Sequence, residues 1–278
     1  MLLPVLLCLS PALGQSPPPD PQAHLASLVA AELAFAHRAQ EIGYRKAFWE
    51  TFAEDSVVFL PRPTPAKAHY AKAADDPAKL RWFASWAKVS ADGRFGLTSG
   101  PWQYQPAGEG KPTFGHFVTV WRRTPQRWEV VLDAGVPHPA QEEWELPFLP
   151  RNTPPRGAFP APARPVAALD GAFTREAAGK GVAETYAAYA GELRFLRPKQ
   201  LPGRPLASRG EDFAQQKGHA WVAESSGAAA NGDLAYSYGY RQDPAGHQKA
   251  VYVRFWRAEA GSWKLDLDLE LPVEEKAK

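Results

Sequence analysis

Cysteine is nearly missing from this 278-residue chain: the only one is Cys8. A lone cysteine forms no intrachain disulfide and no thiolate-based metal site. One-signed charge is missing as well. There are 32 Lys and Arg against 30 Asp and Glu, a net charge of +2, mixed along the sequence. That leaves no electrostatic footprint for nucleic acid or an anionic membrane surface. No apolar run approaches the roughly 20 residues a membrane span needs, so no span is expected. The seven histidines, at 24, 37, 69, 116, 138, 219 and 247, show no HxH, HxxxH or HExxH spacing. A zinc site is therefore not expected. Also absent are GxSxG, a P-loop, and a GxGxxG that opens a helix after a strand, so neither serine hydrolysis nor any cofactor is implied.

Residues 1–14, MLLPVLLCLSPALG, are short, apolar and followed by a Pro-rich polar run. They read as a secretory signal peptide cleaved after Ala12-Leu13-Gly14, although the n-region carries no Lys or Arg. Cleavage would remove Cys8 and leave a cysteine-free protein, periplasmic or secreted. Residues 15–21 form a Pro-rich tether.

What the chain does have is apolar and aromatic residues, 45% and 12%, enough for two cores. It also has an internal repeat. Residues 115–133, GHFVTVWRRTPQRWEVVLD, match residues 250–268, AVYVRFWRAEAGSWKLDLD, with Trp121 on Trp256, Trp128 on Trp263 and Asp133 on Asp268. Upstream, Asp20-Pro21 is an N-cap followed by proline at the first helical position. Leu25, Leu28, Val29, Glu32, Phe35, Ala36 and Ala39 then keep helical spacing to Gly43. A second short helix is expected over 44–53, a buried strand over 56–60, and a third helix from Asp76-Pro77 toward Phe83. Strands follow over 86–90, 95–102, 114–122 and 128–134, with Asp92-Gly93 as a hairpin turn. Nine prolines between 137 and 165 mark a linker. Beyond it the order recurs: Asp170 parallels Glu32, Phe173 parallels Phe35, Gly181 parallels Gly43, and Trp221 is paired with Trp86. The expectation is a first domain over 22–136 and a second over 166–273, each α+β with helices on one face of a curved antiparallel sheet.

The ordered set Glu32-Leu-Ala-Phe-Ala, Gly43 with Ala47-Phe48, Asp55-Ser-Val-Val-Phe-Leu-Pro61, Trp86, Asp92 to Gly100, Gly115 to Trp121, Trp128 and Asp133-Ala-Gly135 resembles the nuclear-transport-factor-2-like superfamily. This is the cone-shaped α+β fold of SnoaL-like proteins and ketosteroid isomerases. Within it, the first copy is most similar to the domain-of-unknown-function 4440 group. The resemblance implies a pocket between the helices and the concave sheet face, used for apolar small molecules, dimerisation or acid–base chemistry. The Asp and Tyr constellation of ketosteroid isomerases is not matched position by position.

Two residues stand out as candidate catalytic groups. His116 shares strand phase with Phe114, Val118 and Val120 and is replaced by Val251 in the second copy, so it reads as a general base, a ligand-binding group or a satisfied core histidine. Glu32, a carboxylate on an apolar helix face, reads as an acid opposite His116 or as a structural acid. Trp82, Trp102 and Tyr104, which have no counterpart in the repeat, are candidate ligand-binding residues together with Phe114 and Val118. Asp133 follows Glu129 on the face opposite Trp128, Val130 and Leu132, which reads as a solvated face. The leading expectation is an exported binding or accessory protein for a small apolar molecule. The alternatives are an acid–base enzyme of SnoaL or isomerase type (an isomerase, cyclase or lyase) and a non-catalytic interaction module. The two copies would pack as an intrachain pseudo-dimer or be joined loosely, and a homo-oligomer is also open.

Overall fold

The cap and stop signals of the first helix act as their chemistry dictates. Asp20 accepts the Gln22 N–H at 2.9 Å, and Pro21 opens α1 (Pro21–Ile42). Gly43 ends the helix with φ +86°, where a side chain would be strained. The computed structural model describes residues 20–72, 76–140 and 164–273. The expected signal peptide with its cleavage site, most of the tether and most of the Pro-rich linker lie outside the described residues.

The first half continues through α2 (Tyr44–Thr51), β1 (Phe52–Phe59), β2 (Pro63–Pro65), α3 (Ala66–Ala71), β3 (Lys79–Trp82), β4 (Trp86–Val89), β5 (Phe95–Gln105), β6 (Thr113–Arg123) and β7 (Trp128–His138). The helix expected from Asp76-Pro77 does not form. Asp76 instead accepts the Ala78 N–H at 2.9 Å and the Tyr44 hydroxyl at 2.7 Å, and Lys79–Trp82 pairs with β5. Tertiary pairing here overrides a local cap signal. The strands form one sheet in the order β2-β1-β7-β6-β5-β3, with β4 also on β5. The sheet is mixed and not purely antiparallel, because β1 runs parallel to β7.

The second half holds α4 (Leu169–Lys180), α5 (Val182–Tyr189), β8 (Ala190–Leu196), α6 (Gly210–Ala214), β9 (Ala220–Ala228), β10 (Leu234–Gln242), β11 (Gln248–Glu259) and β12 (Ser262–Pro272). Its sheet, β8-β12-β11-β10-β9, also has one parallel pair, β8 with β12. The correspondence reaches atomic detail. Trp121 Nε1 donates to Thr98 and Trp256 Nε1 to Ser237, each at 2.9 Å. One pairing read from the sequence is corrected. Trp221 packs on Phe173 with ring centroids 4.9 Å apart, as Trp82 packs on Phe35 at 4.9 Å. Trp86 lies in the other core, between the sheets.

Three apolar layers result. Helices cover one face of each sheet, around Phe35, Phe48, Phe52 and Trp121 in the first half and around Phe173, Tyr186, Trp221 and Trp256 in the second. The opposite faces share one core, with Leu97, Val118, Val120 and Leu132 from the first sheet and Val251, Val253, Leu267 and Leu269 from the second. Each fully buried side chain of this seam contributes about 1.5–3 kcal/mol. A charge also crosses it. Lys88, 2% exposed on β4, places Nζ 3.3 Å from both Asp266 and Glu192 of the second half. No described helix is long and apolar enough to cross a membrane.

Because Lys88→Ala would strip a buried acid of one of its cations, we expect it to cost about 3 kcal/mol. The solvent-exposed pair Arg122–Asp55 should cost under about 1 kcal/mol when Arg122 becomes Ala. Urea denaturation of the two variants measures both, and the shared seam predicts a single transition in each.

Candidate functional site

The alternation of β6 sorts the sequence candidates. Residues 114, 116, 118 and 120 point to the seam, whereas Gly115, Phe117, Thr119 and Trp121 point to the helices. His116 is therefore on the opposite sheet face from the helix side. It lies 3.2 Å from His138, whose Nδ1 is 2.6 Å from the Pro139 carbonyl. Burial, then His138 and Arg194, lower its pKa to about 3, which keeps the imidazole neutral. Val118 belongs to the seam core. Phe114 shares its phase.

On the helix side, β7 does something its sequence phase does not foretell. Val120 pairs with Leu132 but Trp121 pairs with Val130, so Val131 is an extra residue in the ladder. This β-bulge reverses the alternation. Trp128 and Val130 face the helices, Leu132 and Ala134 face the seam, and Asp133 returns to the helix side. The expected solvated face for Asp133 is thus corrected: the carboxylate borders a cavity between the helices and the sheet.

That cavity has a volume of about 340 Å³. Phe35 of α1, Phe48 of α2, Tyr70 of α3 and Val58 and Phe59 of β1 form one wall, and Trp82, Trp102, Tyr104, Phe117, Thr119, Asp133 and Gly135 form the other. Leu60, 48% exposed, is at the rim. Trp102 can lie across β6 only because residue 115 is glycine. A Cβ there would sit 2.2 Å from the indole, far inside van der Waals contact. Of the sequence candidates, Trp82, Trp102 and Tyr104 line the cavity, whereas His116, Glu32, Phe114 and Val118 do not.

Glu32 stands one layer behind. It is fully buried and accepts from Trp82 Nε1 and from the Thr98 hydroxyl, which in turn accepts from Trp121 Nε1. Burial raises its pKa, against the pull of those hydrogen bonds. The structure does not bring it to His116, since helix and seam lie on opposite sides of the sheet. Glu32 instead fixes the Trp82 indole and adds negative potential behind Asp133.

Among the described residues, Asp133 is the one acid on the cavity wall, and no basic side chain lines it. Asp133 is half-buried. Thr119 donates to Oδ1 at 2.7 Å. Burial, with a smaller push from Glu32, raises its pKa to about 7, opposed by the Thr119 hydroxyl. Near neutral pH this carboxyl can give or take a proton, or serve as counter-ion to a guest. A larger depression of about 690 Å³ adjoins Arg164, Glu176 and Trp263 in the second half. Its charged groups are partly exposed and Arg164 pairs with Glu176 at 3.7 Å, so it lacks the uncompensated carboxylate that marks the first-half cavity.

No family model matches the chain, and no curated protein does. Solved structures resemble part of it. An NTF-2-like protein of unknown function from Shewanella oneidensis is 13% identical, over 42% of this chain and 98% of that one, with a TM-score of 0.33. A ketosteroid isomerase-like protein from Erwinia carotovora atroseptica is 14% identical, over 42% and 98%, with a TM-score of 0.34. A Δ5-3-ketosteroid isomerase from Mycobacterium sp. is 18% identical, over 39% and 92%, with a TM-score of 0.31. Each covers less than half of this chain.

A carboxyl with a folded-state pKa of about 7 and an unfolded value near 3.8 binds its proton more tightly when folded. Its stabilising contribution is complete below about pH 4 and is lost as pH rises through about 7. Asp133→Asn removes this term. The Tm of the variant minus that of the wild type should therefore increase by several degrees between about pH 5 and pH 8, measured by scanning calorimetry. A difference independent of pH would mean that the carboxyl titrates as an exposed one.

Proposed function

We propose that the chain is an exported protein of two nuclear-transport-factor-2-like domains in tandem, 22–136 and 166–273, the first of the domain-of-unknown-function 4440 kind. In this reading the first domain binds a small, mainly apolar molecule. The observation that carries it is a cavity of about 340 Å³ with aromatic walls and a single uncompensated carboxylate, Asp133. The volume is at the lower end of ligand cavities, about 300–1,000 Å³, and suits a one- or two-ring guest. Trp82, Trp102 and Tyr104 supply apolar contact, and Thr119 and Asp133 orient the polar end. Glu32 acts through Trp82 as a positioning residue. Export rests on residues 1–14 alone, and the shared seam supports the intrachain pseudo-dimer.

Acid–base catalysis is the second reading. It is favoured by the Asp133 pKa of about 7, close to the pH at which a carboxyl is most effective in both directions. His116 has no part in this reading, because its ring is on the seam side of β6.

A panel of one- and two-ring molecules bearing neutral, acidic and basic groups, screened by thermal shift and tryptophan fluorescence, tests the binding reading. At least one class should raise Tm and change the emission of Trp82 and Trp102. Gly135→Leu should abolish the effect, since a side chain there enters the cavity beside Trp102 Nε1, 3.1 Å from the Cβ position. A panel without a single binder would defeat the reading. If a bound molecule is turned over, Asp133→Asn should slow turnover by about 100-fold or more.

A further inference from the structure

In the second half, the volume equivalent to the cavity is filled by Arg254. Arg254 faces Asp268 across β11 and β12 as Thr119 faces Asp133 across β6 and β7. Its fully buried guanidinium donates to Asp268 at 2.7 Å and to Asp170 at 2.8 Å. It also lies over the rings of Phe173 at 4.0 Å, Tyr252 at 5.0 Å, Trp221 at 5.1 Å and Tyr186 at 5.7 Å.

Among the described residues, the first half repeats this nest without the cation. Phe35 and Trp82 stand as Phe173 and Trp221 do, at the same 4.9 Å. Phe48 packs on Phe35 at 5.0 Å as Tyr186 packs on Phe173 at 4.8 Å. Phe117 holds the strand position of Tyr252. All four of these first-half rings line the open cavity. Glu32 and Asp133 stand where Asp170 and Asp268 stand, while the residue in place of Arg254 is the short Thr119. Ring faces and a desolvated carboxylate each favour positive charge, and a buried acid is costly without it.

Given the cavity as a ligand site, we propose that it takes an organic cation, namely a protonated amine, amidinium or guanidinium on a one- or two-ring apolar body. The charged end occupies the place that Arg254 fills in the second half. Asp133 is its counter-ion, and Phe35, Phe48, Trp82 and Phe117 are its walls.

Titration calorimetry on the full chain at about pH 8.5 tests this with two nearly isosteric pairs, benzamidinium against benzamide and benzylammonium against benzyl alcohol. The cation of each pair should bind about tenfold or more tighter than its neutral partner. The preference should vanish in Asp133→Asn. Thr119→Arg, which supplies the guanidinium from the chain itself, should abolish cation binding. Equal affinity within the pairs, or a preference that survives Asp133→Asn, would overturn the cation assignment while leaving a ligand site in place. Failure of all four probes to bind the wild type would overturn both. Undiminished benzamidinium binding in Thr119→Arg would also overturn the assignment.

Discussion

Between the pairs Val120–Leu132 and Trp121–Val130 the β6–β7 ladder accommodates one unpartnered residue, Val131. Side chains alternate strictly along a strand, so one extra residue sends everything beyond it to the other face. Without it, Asp133 would face the apolar seam and Leu132 the cavity. With it, Leu132 and Ala134 join the core between the sheets and Asp133 joins Thr119 on the helix side. The second half carries the same shift between Phe255 and Trp256, which puts Asp268 beside Arg254. The bulge thus sets both the continuity of the seam and the chemistry of the interior.

The two halves are two solutions to one electrostatic problem. Each has an acid on its first helix and another on its last strand within an aromatic shell; Glu32, Asp170 and Asp268 are fully buried, and Asp133 is half-buried at the cavity wall. The second half neutralises its pair with Arg254 and Arg197, both of which contact Asp268. Burial acts to raise the Asp268 pKa, yet these two cations hold it below the ordinary carboxylate value. Among the described residues, the first half has no such cation in its cavity. Its acids respond to burial by moving upward, and volume is left open beside Asp133. A filled, ion-paired interior favours stability, and an open one with an uncompensated charge is the kind of local cost that accompanies a binding function. The halves are held together by the seam, so a plugged half is packed against an open one.

Much of this was legible in the sequence. The capped first helix, Gly43, the Asp92-Gly93 hairpin and the repeat all follow from local chemistry, and the aromatic candidates Trp82, Trp102 and Tyr104 are on the cavity wall, although Trp82 proves to have a repeat partner in Trp221. The phase of Asp133 was not legible, because periodicity presumes an unbroken ladder. The signal was present in Val130-Val131-Leu132, three apolar residues in succession where strict alternation would give two. Arg254, a charge within the apolar run Val251 to Trp256, was a second signal, since a buried guanidinium requires acids beside it. The Asp76-Pro77 cap misled for another reason: the Asp76 carboxylate is held by Tyr44 and Arg45, contacts 32 and 31 residues distant that no local pattern contains.

The most direct test of this account is the titration of Asp133 itself, followed by carbon-13 carboxyl NMR on ligand-free protein and assigned with Asp133→Asn. A midpoint near 7 is the result the cavity-facing carboxylate predicts. A midpoint near 4, the value of an ordinary solvated aspartate, would contradict it and return Asp133 to the surface.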